Sequence, residues 1–173
     1  MRLVIQRVKS ASVSVDNEVV SKINHGIMCL VGISSSDTSE DMEYCCKKLL
    51  ATKLWENDEG KGWRKNVIHK NFEILCVSQF TLFATVDNKK HIPDFKMSMK
   101  TIPAREFYSS FLNKLRSDYN QDSVHDGEFG AMMDVSLVND GPVTIIIDSP
   151  PDKLCVQDVA IGTNRVSYKK PEL

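Results

Sequence analysis

Val135-Ser136-Leu137-Val138, then Asn139-Asp140-Gly141-Pro142, then Val143-Thr144-Ile145-Ile146-Ile147 sets the architecture at one end of the chain. Two runs rich in β-branched residues flank a Gly-Pro pair, which predicts two closing strands, about 132–138 and 143–148. The Gly-Pro peptide between them is either a plain hairpin turn or a backbone feature whose carbonyls are aimed at something. A second segment is as distinctive. The apolar strand Phe72-Glu73-Ile74-Leu75-Cys76-Val77 closes with Ser78-Gln79-Phe80-Thr81-Leu82. Two hydroxyls, an amide and an aromatic ring crowd one strand end, and residues 72–84 read as a buried strand leading into a site.

Working outward, strand signals fill the first third. Leu3-Val4-Ile5 and Val8 begin it, Ala11-Ser12-Val13-Ser14-Val15 alternates with period two, and Val19-Val20 and Ile27 to Ile33 follow. Asp16-Asn17 and Asn24-His25-Gly26 are turn chemistry. Met42, Cys45, Cys46, Leu49, Leu50 and Leu54 then recur at helical spacing, with Asp37 and Glu40 placed to cap the start. A second helix fits Pro103 to Tyr119, with Pro103 in its first turn and Phe107, Phe111, Leu112, Leu115 and Tyr119 on one face. The fold class is therefore α+β: a rolled or barrel-like, mostly antiparallel sheet with two helices. Pro150-Pro151 breaks the last strand, so the expected division is a domain over 1–148 and a C-terminal extension over 149–173.

The 173 residues suffice for one domain with a core, and 42% hydrophobic with 26% charged residues is ordinary for a globular protein. Arg2, Gln6, Arg7 and Lys9 interrupt any apolar signal sequence, and no run is long enough to span a bilayer. Five cysteines, an odd number without Cys-x-x-Cys spacing, point to a reducing, cytoplasmic setting. A net charge of −1 argues against a general nucleic-acid binder but leaves room for a local basic surface. Lys89-Lys90-His91, Lys96, Lys100, Arg64-Lys65 and Lys47-Lys48 are candidates for it, and position raises Lys89 to Lys100, in the loop directly after the Ser78–Leu82 segment. Each basic cluster also reads as an ordinary solvated face.

The two segments, in this order, resemble the D-aminoacyl-tRNA deacylases. The resemblance begins at Met1-Arg2-Leu3-Val4-Ile5-Gln6-Arg7-Val8 and continues through Gly26 to Ile33, Lys53-Leu54-Trp55, Asn66-Val67 and Pro93-Asp94-Phe95. It ends with Gly127-Glu128-Phe129-Gly130-Ala131-Met132-Met133 leading into Asn139 to Thr144. It implies a homodimer that hydrolyses the ester between a D-amino acid and tRNA, with aminoacyl-tRNA as the partner. It also implies a cis Gly141-Pro142 peptide, its two carbonyl oxygens directed into the neighbouring subunit's pocket. There they would leave room for hydrogen on the substrate Cα but not for an L side chain. Glycyl-tRNA, with no side chain to reject, becomes a second substrate. The dimer contact is expected around residues 1–8 and 132–148, with Asp140-Gly141-Pro142 as the exposed tip of a hairpin.

Ester hydrolysis needs a nucleophile, its activation, and donors for the oxyanion. Ser78, Gln79, Phe80 and Thr81 are the candidate catalytic residues. Thr81 is the side-chain nucleophile on offer, yet a threonine hydroxyl is inert without a base. His25, His69, His91 and His125 lie outside both motifs, and there is no zinc-ligand cluster or nucleophile elbow. The residue types favour positioned backbone amides, with water or the substrate's ribose hydroxyl assisting, and no metal or cofactor is expected. Ser78 and Gln79 either end a strand locally or hold the substrate; Phe80 is either core or a stacking surface for the terminal adenine. In this family Arg7 looks like a brace for the Gly-Pro loop, though a lone strand Arg is ordinarily surface. Phe129 and Met133 line the pocket or fill the core. Ser98 stands where relatives carry a small residue, which makes the pocket rim more polar, and Lys90-His91-Ile92 departs from the family's pattern before Pro93. Two other readings compete: a nucleic-acid-binding protein on the same fold, and a sister deacylase group with a trans Gly-Pro, whose strand-end motif has proline in place of Ser78.

Overall fold

The computed structural model describes residues 1–149; of the extension expected over 149–173, all but Ser149 lies outside them. Strand β1 (Arg2–Val15) pairs antiparallel with both β2 (Glu18–Ile23), along its second half, and β3 (Gly26–Gly32), along its first. Helix α1 (Ser39–Ala51) and the four-residue α2 (Val67–Lys70) cross over to β4 (Glu73–Ser78). A short ribbon of β5 (Thr85–Val86) and β6 (Pro93–Asp94) precedes helix α3 (Thr101–Asp118), and β7 (Val124–Asp126) and β8 (Asp134–Asp148) close the domain. The sheet order is β2-β1-β3-β4-β7, with β8 on β1. The sheet curls toward closure, bringing β2 against β4 and β7. The α+β class and barrel-like sheet are as expected, with α2 as an additional helix.

Two pairings are parallel: β4 beside β3, and β7 beside β4. Each follows a helical crossover, because parallel neighbours cannot be joined by a tight turn. Both β3 and β4 are covered on two sides, which explains their unbroken apolar runs. Ile27, Cys29, Val31, Ile74 and Cys76 pack under Cys45, Cys46, Leu49, Phe111 and Leu115 of the helices. Met28, Leu75 and Val77 face Val8, Ala11, Val13 and Ile23 inside the curl. Gly26 is required by this packing, since a Cβ there would lie 1.9 Å from the Glu73 carbonyl oxygen.

Three local expectations are corrected. The α1 cap falls one residue later, at Thr38, whose N–H and hydroxyl both donate to Asp41 at 2.9 Å. Asp37 instead pairs with the Met1 ammonium and accepts from the Ser34 N–H. The strand expected over 72–84 ends at Ser78 and turns into a single 3-10 turn, Phe80–Phe83. The largest correction concerns Gly141-Pro142, which does not form a hairpin tip. Both halves of β8 run antiparallel along one partner, β1, from Arg2 opposite Asp148 to Ser14 opposite Asp134. β1 is long enough to satisfy both halves, so they need not pair with each other. The register breaks between Gln6–Thr144 and Val8–Asn139, leaving residues 140–143 to bulge opposite Arg7 alone.

Candidate active site

The 3-10 turn at the end of β4 shapes the site. Gln79 donates its N–H to the Val31 carbonyl at 2.8 Å, the last rung of the β3–β4 ladder. The turn closes through Leu82 N–H to Gln79 O (3.2 Å) and Ala84 N–H to Thr81 O (3.0 Å). The N–H groups of Phe80 and Thr81 open that turn, where the first amides of a helix have no intrahelical acceptor.

Beside it lies a cavity of about 610 Å³, lined by Ser78, Gln79, Phe80, Ser98, Phe129 and Lys96. Of the other expected residues, Thr81 is exposed beside it, its Oγ1 accepting a 2.5 Å bond from Gln79 Nε2. Met133 packs instead against Gly127, Val13 and the inner core. Its thioether fills the curl of the sheet, away from the cavity lining. Lys89 and Lys90 sit in the β5–β6 loop, their N–H groups donating to Asp87, and do not line the cavity. Lys96 is 87% exposed and pairs with Asp94 at 2.7 Å, which holds the Asp94 carboxyl below its usual range and raises the ammonium.

Aromatic rings form much of the cavity wall. Phe80 is 58% exposed despite its size, and its ring meets Phe95 edge-on at 5.0 Å. Phe129 is held between Tyr108, 5.5 Å away, and the Arg105 guanidinium over its face at 5.0 Å. Lys100, a candidate for the basic surface, also lines the cavity, whereas Val31, Ile33, Met99, Thr101 and Ala104 went unread in the sequence as site residues. The start of α3 supplies the last two. A helix beginning two residues before Pro103 was the missed signal.

The Gly141-Pro142 peptide is cis, and Gly141 has φ +127°. The bulge is tied down from three sides. Arg7 Nε donates to the Asp140 carbonyl at 3.1 Å and meets its carboxylate at 3.0 Å, while Nη1 donates to Leu54 O at 2.5 Å. The Val143 N–H donates to Asn139 Oδ1 at 2.8 Å, and Asn139 Nδ2 donates to Thr144 Oγ1 at 3.2 Å. Gly141 and Pro142 themselves are exposed and take no part in lining the cavity of their own chain. Around them β8 carries exposed Val135, Val138 and Ile146, with Met132 beside it 93% exposed. β1, lying between β3 and β8 over residues 2–8, is an interior strand; β8 pairs with β1 alone among the described residues, which leaves its other edge free.

Among the described residues no group of three or more His, Cys, Asp or Glu stands together as metal ligands, and no helix is long and apolar enough to cross a membrane. The four described cysteines are unpaired and buried.

Residues 4–148 match the family model described as D-Tyr-tRNA(Tyr) deacylase. A protein of Drosophila melanogaster named D-aminoacyl-tRNA deacylase is 50% identical over 153 residues, 88% of this chain and 95% of that protein. One of Dictyostelium discoideum with the same name is 48% identical over 150 residues, 86% and 98%. A solved structure titled c-Myc DNA Unwinding Element Binding Protein superposes with a TM-score of 0.82 at 47% identity, covering 87% of this chain and 99% of its own. Sheet, strand-end turn and bulge thus coincide with a match spanning nearly all the described residues, and the chain belongs to the D-Tyr-tRNA(Tyr) deacylase family.

Proposed function

We propose that this chain is a hydrolase that cleaves the ester of D-aminoacyl-tRNA to free D-amino acid and tRNA. The observation that carries the reading is the strand-end turn: two amides, of Phe80 and Thr81, without an acceptor among the described residues, beside a cavity walled by aromatic rings. The terminal adenine stacks in that cavity, as nucleobases do on exposed aromatics. The ester carbonyl then lies over the turn. Water adds to the carbonyl carbon, the oxyanion takes hydrogen bonds from the Phe80 and Thr81 N–H groups, and the ribose oxygen leaves with a proton. Either the attacking water or the neighbouring ribose hydroxyl relays that proton.

Thr81 is a poor nucleophile here. Its oxygen accepts a bond from the Gln79 amide, which occupies one of its two lone pairs, and among the described residues no base bonds to it. Ser78 and Gln79 shape the turn, and Lys89, Lys90, Lys96 and Lys100 offer phosphates a basic approach.

Chirality is read by the Gly141-Pro142 backbone of the second subunit in a homodimer. Supporting this are a bulge pinned by Arg7 and Asn139, exposed at its crest, and set on a sheet edge with apolar residues to bury. Backbone oxygens against the substrate Cα exclude an L side chain by sterics alone, so glycyl-tRNA is cleaved as well. Domain 1–148 carries all of this machinery. Buried, unpaired thiols suit the reducing cytoplasm, where aminoacyl-tRNA is used.

The competing reading, nucleic-acid binding without hydrolysis, draws on the name of the DNA-unwinding-element relative. Incubating D-tyrosyl-tRNA with the full chain separates the two: release of D-tyrosine supports the hydrolase, and binding without release supports the alternative.

A further inference from the structure

We infer that Ser98 is a positioning residue that orients and strengthens an oxyanion donor through the Phe80–Thr81 peptide. Its Oγ donates to the Phe80 carbonyl at 2.8 Å. That carbonyl belongs to the same rigid peptide plane as the Thr81 N–H, and in a trans peptide the two point to opposite sides. Fixing one fixes the other. The carbonyl is turned toward Ser98, which lines the cavity, so the Thr81 N–H is turned away from Ser98. A hydrogen bond to the carbonyl also polarises the amide, making its N–H a stronger donor.

Ser98 is well placed to hold that direction because its backbone is anchored. Its own N–H donates to Phe95 O at 3.0 Å, and it bridges Ser34. On either side, Ser35 N–H donates to Met97 O and Met99 N–H to Ile33 O, both at 2.9 Å. The segment therefore hangs from the end of β3, whose Val31 carbonyl also receives the Gln79 N–H. Hydroxyl and turn share one support, so their relative placement costs little further ordering.

The inference rests on the reading of the Thr81 amide as an oxyanion donor, and its test has an arm independent of activity. In Ser98→Ala the Thr81 amide nitrogen and proton resonances shift relative to the native chain, while those of the distant β2 strand do not. If D-aminoacyl-tRNA is the substrate, the same variant lowers the single-turnover kcat about two- to fivefold, with KM changed less than about twofold. Ser98→Thr keeps the hydroxyl and recovers both readouts. An unmoved Thr81 amide in Ser98→Ala, or a kcat equal to native, overturns the relay. Inactivity of the native chain would refute the hydrolase reading, yet the amide shift would still report whether Ser98 holds that peptide.

Discussion

Arg7 and Asp140 meet where β8 loses its register with β1: one guanidinium nitrogen contacts both the backbone carbonyl and the carboxylate of the same aspartate, at 3.1 and 3.0 Å. Another arm of the fork reaches Leu54 O after α1. A side chain on an interior strand thereby joins Asn139 in fixing the bulge that carries Gly141 and Pro142.

Arg7→Ala removes these bonds and leaves the Leu54 carbonyl and Asp140 without their partner. It is expected to cost about 1–3 kcal/mol of stability. The released bulge should raise the rate on L-aminoacyl-tRNA relative to the D form. Urea unfolding and paired deacylation assays check both; unchanged selectivity would remove Arg7 from the account of chirality.

Gly141→Ala tests the crest of the bulge. At φ +127° an L side chain is strained, and its Cβ would lie 2.8 Å from Val143 Cγ2 and 3.2 Å from Arg7 Nη2. The expected strain is about 1–3 kcal/mol. The deformed crest should reduce D-aminoacyl-tRNA cleavage at least about tenfold while circular dichroism shows the sheet intact. Full activity would mean that the crest does not meet substrate.

Thr81→Ala should retain most of the native rate, since no base stands ready to ionise that hydroxyl. Quenched reactions analysed by mass spectrometry settle the point: an acyl group on Thr81 would establish it as the nucleophile.

Burial pushes the Cys45 thiol up to about 11 and Cys46 to about 12, and it raises Tyr108 as well. Above the unfolded thiol range the unfolded chain releases protons that the native chain keeps, so stability falls as pH rises. The urea midpoint should drop steadily from pH 8 to 10. A thiol reagent at pH 8 should modify none of the four described cysteines without unfolding; rapid labelling of Cys45 or Cys46 would contradict their burial.

Mixed dimers test whether the sites are composite. A subunit with its cavity blocked by Ala104→Phe, joined to one carrying Gly141→Ala, has one cavity open and one intact crest. If the crest acts on its neighbour, the open cavity of the Gly141→Ala subunit meets the intact crest, and about half the native activity returns. Activity no higher than that of the two homodimers would place crest and cavity in the same subunit.

The strands and the two long helices were legible because their apolar periods are strong: Leu3 and Ile5 alternate, and Leu49, Phe111 and Leu115 recur on helical faces. Partners were not. Cys29 and Cys76 sit in equally apolar runs, and only the crossover helices make their strands parallel neighbours. The Gly-Pro bulge resembles a hairpin turn locally, since nothing in Asn139 to Thr144 reveals that β1 is long enough to pair with both flanks. Phe129 and Met133 could not be told apart by residue type. The path between Gly127 and Asp134 turns one toward the cavity and the other into the core.

The most direct test compares matched D- and L-tyrosyl-tRNA with the native chain under single-turnover conditions. Cleavage of the D substrate is expected to be at least about a hundredfold faster, equivalent to two tenfold steps in barrier height. Comparable rates on the two would contradict it.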